Sequence, residues 1–450
     1  MLNSLRTRIL AVIFAGAILI AIDGSTISPI LESIQTSFGV NESIITWIFN
    51  IEILFLLLGT PVMAKLSDRY GRKNIYVLNA FLFLLGTLIV VFSQSFEMLL
   101  IGRSLQGIGA VLSVLAITII GDYFDETRGT ILGAFGVIIA LVYALGPAIS
   151  GFLVNYGWHL IFAINVPVAA IVVILGYTLL PAGEISEKYG SFDWKGMVFL
   201  GIAIASLAYF IFNMSGSSSA MLQYSLLAIF ILALIVFWWI ERKALEPIIP
   251  INLLKKRDTL IASIVTLVGY LAMAGTYYFS TFASMAYSLS YSMAAYMILP
   301  MTVASLITTP IVGKLLDKIG AKPIMVVGGA ITAIGMVILS FASNIYVFGL
   351  SLVLVGIGNA SIVGNALYYI FLDETGKSER ASGQALLNIL INTGSLLGGA
   401  VLSSALDFSA SGVSSFRNVY IYLAVVYVIL TLLSVGLQGR SSKGKKAVLE

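Results

Sequence analysis

Lys65-Leu66-Ser67-Asp68-Arg69-Tyr70-Gly71-Arg72-Lys73 returns later in the chain as Lys314-Leu315-Leu316-Asp317-Lys318-Ile319-Gly320-Ala321-Lys322. Acid, base, glycine and closing lysine keep their places in both copies. Each copy is a short polar loop between two long apolar runs, so the same helix-loop-helix is written twice. A second pair agrees with the first: Arg128 and the Gly146-Pro147 turn are matched by Arg380 and Gly398-Gly399. Internal repeats of this kind predict two related helical bundles that rock about a central site.

Outward from these loops, runs of about twenty apolar residues are long enough to cross a hydrocarbon layer roughly 30 Å thick. Fourteen are expected, over 9–31, 44–63, 75–92, 98–120, 130–154, 160–180, 196–212, 222–240, 260–285, 294–312, 323–342, 346–371, 381–406 and 420–437. The fold class is therefore an all-α integral membrane protein: two pseudo-symmetric six-helix bundles plus an inserted helical pair. The expected organisation is a first bundle over 1–182, inserted helices seven and eight with their linkers over 183–258, a second bundle over 259–438 and a polar tail over 439–450. The closing Leu449-Glu450 reads as a cloning scar. The first run is longer than the apolar region of a signal peptide and no convincing cleavage site follows it, so it reads as a mature span.

Charge tests the count, because one missed span would put every later loop on the wrong side. With both termini cytoplasmic, all of the 25 Lys and Arg except Arg103 and Arg417 fall on the inner side, as the positive-inside rule requires. Composition agrees: 59% of residues are hydrophobic, 10% are charged and the mean hydropathy is +1.02. The net charge of +4 lies in short loops, where it orients the chain, and implies no nucleic-acid partner. The absence of cysteine and the single histidine, His159, exclude a disulfide framework, thiol catalysis and clusters of metal-ligating histidines. No nucleotide loop and no pairing of a nucleophile with a base is present, which argues against an enzyme. No cofactor is expected.

Three charges lie inside apolar runs: Asp23, Glu52 and Arg103. Counting along the helices puts Asp23 about 21 Å from the inner face, Glu52 about 12 Å and Arg103 about 8 Å from the outer face, all in one outer-half layer. Ionisable groups at membrane depth are costly and belong to transport or proton relay. A binding event that breaks a carboxylate–guanidinium pairing can change protonation, which is the chemistry of exchange. A static buried pair that locks the bundle is the other reading.

These segments resemble the major facilitator superfamily, and within it the fourteen-helix drug:proton antiporter branch. Residues 64–73 resemble the superfamily's signature between helices two and three. Arg103-Ser104-Leu105-Gln106-Gly107-Ile108-Gly109 is similar to the proton-coupling motif of helix four. Gly136 with Gly146-Pro147-Ala148-Ile149-Ser150-Gly151 is similar to the helix-five motif of exporters. Ala21 to Ile27, Trp158 to Phe162 with Asn165-Val166-Pro167, and Asp193-Trp194 resemble segments of the fourteen-helix branch. Ala64, Ser150 and His159 depart from the pattern by small changes. Glu52 stands where the family is usually uncharged, so the family's coupling scheme does not transfer unaltered.

The resemblance implies a cytoplasmic gate at Asp68, Arg69, Gly71, Arg72, Asp317 and Lys318, where acids, bases and helix ends pair in one state and part in another. Topogenic charge alone is the plainer reading. Gly136, Gly146, Pro147 and Gly151 form either the exporter's helix-five motif or an ordinary packing face. Amides and aromatics offer a substrate cavity: Trp47, Asn50 and Gln106 in the first half, with Tyr270, Tyr277, Asn359, Gln384, Asn388 and Asn392 in the second. Hydrogen bonding between helices would use the same residues. His159 reads as an interfacial, solvated side chain.

Together these features imply a proton-coupled secondary active transporter that exports small, lipophilic, cationic compounds by alternating access, a multidrug efflux antiporter. A lipid or amphiphile flippase and a proton-coupled importer of the same fold are the alternatives. The implied partners are protons, a small amphiphilic substrate and the lipid bilayer, with the proton gradient as the energy source. The expected setting is the cell membrane, crossed many times by a monomer.

Overall fold

A computed structural model describes residues 2–27, 30–40, 42–153, 156–182, 193–213, 220–244, 247, 251–289, 291–405 and 412–438. The expected tail, 439–450, lies outside them. Among these residues every regular element is a helix. Lipid offers no hydrogen-bond partner to an open backbone, and a helix satisfies its own.

Sixteen helices carry the architecture. They are α1 (Leu2–Thr26), α2 (Trp47–Tyr70), α3 (Arg72–Val91), α4 (Phe96–Gly109), α5 (Leu112–Tyr123), α6 (Arg128–Leu153), α7 (Asn165–Leu179), α8 (Trp194–Asn213), α9 (Ala220–Glu241), α10 (Arg257–Met273), α11 (Leu299–Ile319), α12 (Ala321–Ser340), α13 (Ile345–Asn359), α14 (Asn365–Glu374), α15 (Arg380–Ala405) and α16 (Gly412–Val435). Thirteen helical stretches among the described residues are long and apolar enough to cross a membrane. The expected span 381–406 forms α15, 26 residues long, but is not among the thirteen.

Local chemistry sets the helix ends. Ser95 accepts from the Met98 amide at 3.2 Å to start α4, and Asn344 accepts from Tyr346 and Val347 at 3.1 and 3.0 Å to start α13, both N-caps. Gly71 joins α2 to α3 at φ 90°, and Gly320 joins α11 to α12 at φ 79°. Only glycine takes that backbone without strain. Each preceding helix carries an internal Thr-Pro pair, Thr60-Pro61 or Thr309-Pro310. Each threonine returns its hydroxyl to the carbonyl four residues back, Leu56 or Ser305, at 2.6 and 2.7 Å.

Three spans are irregular at mid-depth. Between α4 and α5 the amides of Val111 and Val114 bond to carbonyls three residues back. A 3₁₀ segment, Ala274–Tyr278, follows α10, and a π-helical turn, Ala360–Gly364, joins α13 to α14. Such departures mark hinges and sites.

The chain divides into two compact units. One comprises Met1–Asp125, Val137–Ile251 and Gly376–Asn388; the other comprises Glu126–Gly136, Asn252–Thr375 and Ile389–Glu450. The first therefore contains α8 and α9 and the opening turns of α15, and the second the opening turns of α6. In the first unit, Ile27, Ile30, Ile34, Ile45, Ile48, Val90, Phe96, Leu99, Trp158, Ile161 and Phe162 pack into a buried apolar cluster beside the charged site described next.

Candidate functional site

Arg103 on α4 is the hub. Its side chain is fully buried and every nitrogen of the guanidinium is used. Nη1 donates to both oxygens of Asp23 on α1, at 3.2 and 2.9 Å, and to Gln106 Oε1 at 2.8 Å. Nη2 donates to Glu52 on α2, and Nε to the carbonyl of Ile48, one turn earlier on that helix, at 3.3 Å. The planar fork of arginine suits this work; a lysine has no such fixed set of donors. Phe162 lies 5.8 Å from the guanidinium carbon, so an aromatic face closes the site.

The three intramembrane charges of the sequence thus form one cluster. Its formal charge is one negative, because two carboxylates share one guanidinium. The carboxylates are not equivalent. Asp23 is 2% exposed and the Glu52 side chain 18%. Asp23 Oδ1 also accepts from Gln106 Nε2 at 3.4 Å and from Asn165 Nδ2 at 3.0 Å. Gln106 is held in turn by Thr87 Oγ1 on α3 at 2.9 Å.

Neither Asn165, quoted only within a family-like segment, nor Thr87 was read as a site residue in the sequence. Asn165 opens α7 where helix six breaks after the short helix His159–Ala163. It is 1% exposed, and its Oδ1 has no partner among the described residues.

Close backbone approach makes the cluster possible. A Cβ at Gly107 would meet the Glu52 carbonyl oxygen, with the Glu52 carbonyl carbon and the Leu56 nitrogen each 3.1 Å away. Small residues permit such crossings in membranes. Gly146 of the helix-five motif is pressed against Ser25 of α1 in the same way. Pro147 and Gly151 lie within α6, but their side-chain surroundings fall outside the described residues.

The other cavity residues are placed separately. Trp47 packs its ring 6.0 Å from that of Tyr209 on the inserted helix α8, and Asn50 is half-buried. Gln384 is buried, with neither amide atom partnered among the described residues. Asn388 and Asn392 are half-buried. In the second unit Asn359 accepts from the Tyr427 hydroxyl at 2.9 Å. Tyr270 lies under Gly394, and Tyr277 is 68% exposed.

At the loop end of the first unit Asp68 accepts from Arg72, from the Ser382 amide and hydroxyl at 3.1 and 2.7 Å, and from the Ala381 amide at 3.4 Å. It therefore caps α15, where free amides and the helix dipole favour an anion. Asp122 accepts from Arg72 at 3.1 Å and from Arg380 at 3.0 Å. Arg69 instead lies over Tyr70, 5.5 Å from its ring centre.

The second unit uses the same residue types. Asp317 accepts from the amides of Gly129 and Thr130, both at 2.8 Å, and from the Thr130 hydroxyl at 2.6 Å, capping α6. Arg128 pairs with Asp373 and lies 4.4 Å from the ring centre of Tyr369. Lys318 is exposed. Gly136 sits against Thr309, with the Asn365 amide near by. Asp122 and Asp373 were also missed, because an acid at a helix end reads as loop charge. Asp317→Ala removes three bonds to the start of α6, so a loss of about 1–2 kcal/mol is expected. Thermal unfolding of the purified variant in detergent measures it, and an unchanged midpoint would count against the cap.

Comparison with known families decides the broader identity: the Major Facilitator Superfamily profile matches residues 13–300 and 262–450. The chain belongs to the major facilitator superfamily. It is a multi-pass membrane protein of a transporter family. Multidrug resistance protein 3 of Bacillus subtilis (strain 168) is 29% identical over 334 residues, 72% of this chain and 64% of that protein. The riboflavin transporter RibZ of Clostridioides difficile (strain 630) is 27% identical over 417 residues, 91% of this chain and 90% of that one. Among solved structures, the human organic anion transporter MFSD10 (TETRAN) aligns with a TM-score of 0.70 at 15% identity, covering 95% of this chain and 99% of that one. That likeness supports the superfamily fold.

Proposed function

We propose that this chain is a proton-coupled antiporter of the fourteen-helix branch, exporting small lipophilic cations across the cell membrane with both termini in the cytoplasm. The supporting observation is the Asp23–Arg103–Glu52 cluster. Two carboxylates on one buried guanidinium leave one negative charge, which one proton or one monovalent cation neutralises. A site that accepts either, but not both, exchanges them. Likeness to multidrug resistance protein 3 supports a broad lipophilic substrate class.

The two capped helix starts suit a gate at the cytoplasmic end, since alternating access has to break and remake contacts of this kind. In this reading α15 is the fourteenth span and the bundles are pseudo-symmetric. Likeness to a riboflavin transporter favours an importer or a non-cationic substrate as the second reading.

Proteoliposomes with an acidic lumen and an alkaline exterior separate these readings. Gradient-driven accumulation of cationic dyes in the lumen is the expected result. Gradient-independent movement of labelled lipid would replace the proposal with a flippase, and accumulation only under the reversed gradient would replace it with an importer. No gradient-driven movement of any probe would overturn proton coupling.

A further inference from the structure

The two carboxylates on Arg103 differ in every respect that governs exchange. Asp23 Oδ1 accepts from Arg103, Gln106 and Asn165, and Oδ2 from Arg103. These donors come from helices four and six, and Gln106 is tied further to Thr87 on helix three. A proton on Oδ1 would have to displace one of them. Glu52 takes one hydrogen bond from Arg103 and is the more open of the pair. The charged groups acting on it are Arg103 and Asp23, and the Asp23 carboxyl lies within hydrogen-bonding reach of it, ready to accept from Glu52 when Glu52 is protonated.

We infer that Asn165 is a positioning residue that pins Asp23 to Arg103 as a fixed counter-ion, so that Glu52 alone takes up and releases the transported proton. This rests on the proton-coupled reading and names the atoms that carry it out. A proton from water adds to a Glu52 carboxylate oxygen and the bond from Arg103 Nη2 is released. The cluster passes from one negative charge to neutral. When a cationic substrate arrives, the same proton returns to water and Glu52 becomes the anion that faces the cation. Arg103 keeps Asp23, Gln106 and the Ile48 carbonyl throughout. One proton therefore leaves for each monovalent cation bound.

The assignment departs from what depth in the sequence suggests, since Asp23 and Glu52 look alike there. Asn165 distinguishes them. An asparagine is neutral at every pH, so it can hold a carboxylate through the cycle without joining the titration.

The test is substrate-induced proton release from the purified full-length protein in weakly buffered detergent, read with a pH dye on adding tetraphenylphosphonium, across a range of pH. The wild type is expected to release one proton per bound cation. Glu52→Gln leaves the cluster neutral, so it should bind the probe more weakly and release no proton at any pH. Asn165→Ala should still release a proton, with its midpoint shifted by roughly one pH unit, tenfold in proton affinity, because Asp23 is then free to share the titration. Asn165→Ser, which keeps a donor, should recover part of the shift, and serves in place of Asn165→Ala if the alanine variant does not fold.

Normal release from Glu52→Gln would place the proton on Asp23 and overturn the assignment. An unmoved midpoint in folded Asn165→Ala and Asn165→Ser would reduce Asn165 to packing. No release from the wild type at any pH would instead remove the proton-coupled reading on which the inference stands.

Discussion

Arg103→Ala is expected to abolish gradient-driven transport, a loss of at least about 100-fold in rate, and to destabilise the first unit. The guanidinium makes bonds to Asp23 on α1, to Glu52 and the Ile48 carbonyl on α2, and to Gln106 on its own helix, so it ties three helices together. Removing one side of a buried ion pair costs about 3–5 kcal/mol, because the partner is left uncompensated. Here two partners are left. Arg103→Lys should not restore transport, since an ammonium cannot hold both carboxylates and a carbonyl in the fixed geometry of the fork. The two measurements are dye accumulation in proteoliposomes and thermal unfolding in detergent. A folded Arg103→Ala protein with wild-type stability and transport would show that the cluster is ornamental.

Gly107→Val should come close to that result without touching a charge. The added Cβ points at the Glu52 carbonyl, and a backbone atom cannot swing aside as a side chain would. Helix α2 must move off α4, carrying Glu52 and the Ile48 carbonyl away from Arg103. Overpacking of this kind costs about 1–3 kcal/mol, and transport should fall well before folding does. Val111→Ala, nearby on the same span, is the control for a general loss of packing. Equal transport by Gly107→Val and wild type, with both proteins folded, would show that the crossing has slack.

The repeat at 65–73 and 314–322, the apolar runs and the three buried charges were legible because each rests on one-dimensional information: length, spacing and depth. Counting 1.5 Å per residue was enough to put Asp23, Glu52 and Arg103 in one layer. Rotation about each helix axis was harder to read. Trp47 is five residues from Glu52, about 140° round the helix, and its ring packs against Tyr209 on α8. Asn165 was legible only as part of the family-like Asn165-Val166-Pro167, with nothing to connect it to Asp23, 142 residues away. Nor could depth show that Asn359 accepts from Tyr427, on the last helix.

Helices α3 and α4 come into close backbone contact at three glycines. A methyl added at Gly102 would lie 2.8 Å from the Gly86 carbonyl, one at Gly86 would lie 2.6 Å from the Gly102 carbonyl, and one at Gly109 would lie 2.7 Å from that of Asn79. Two backbones in such contact cannot shear past each other by changing rotamers, so they act as a single plank. Thr87, Arg103 and Gln106 all stand on it. In the proposed exchange the plank is the anvil of the site: Asp23 stays held against Arg103 and Gln106, and Glu52 on α2 is the piece that lifts away.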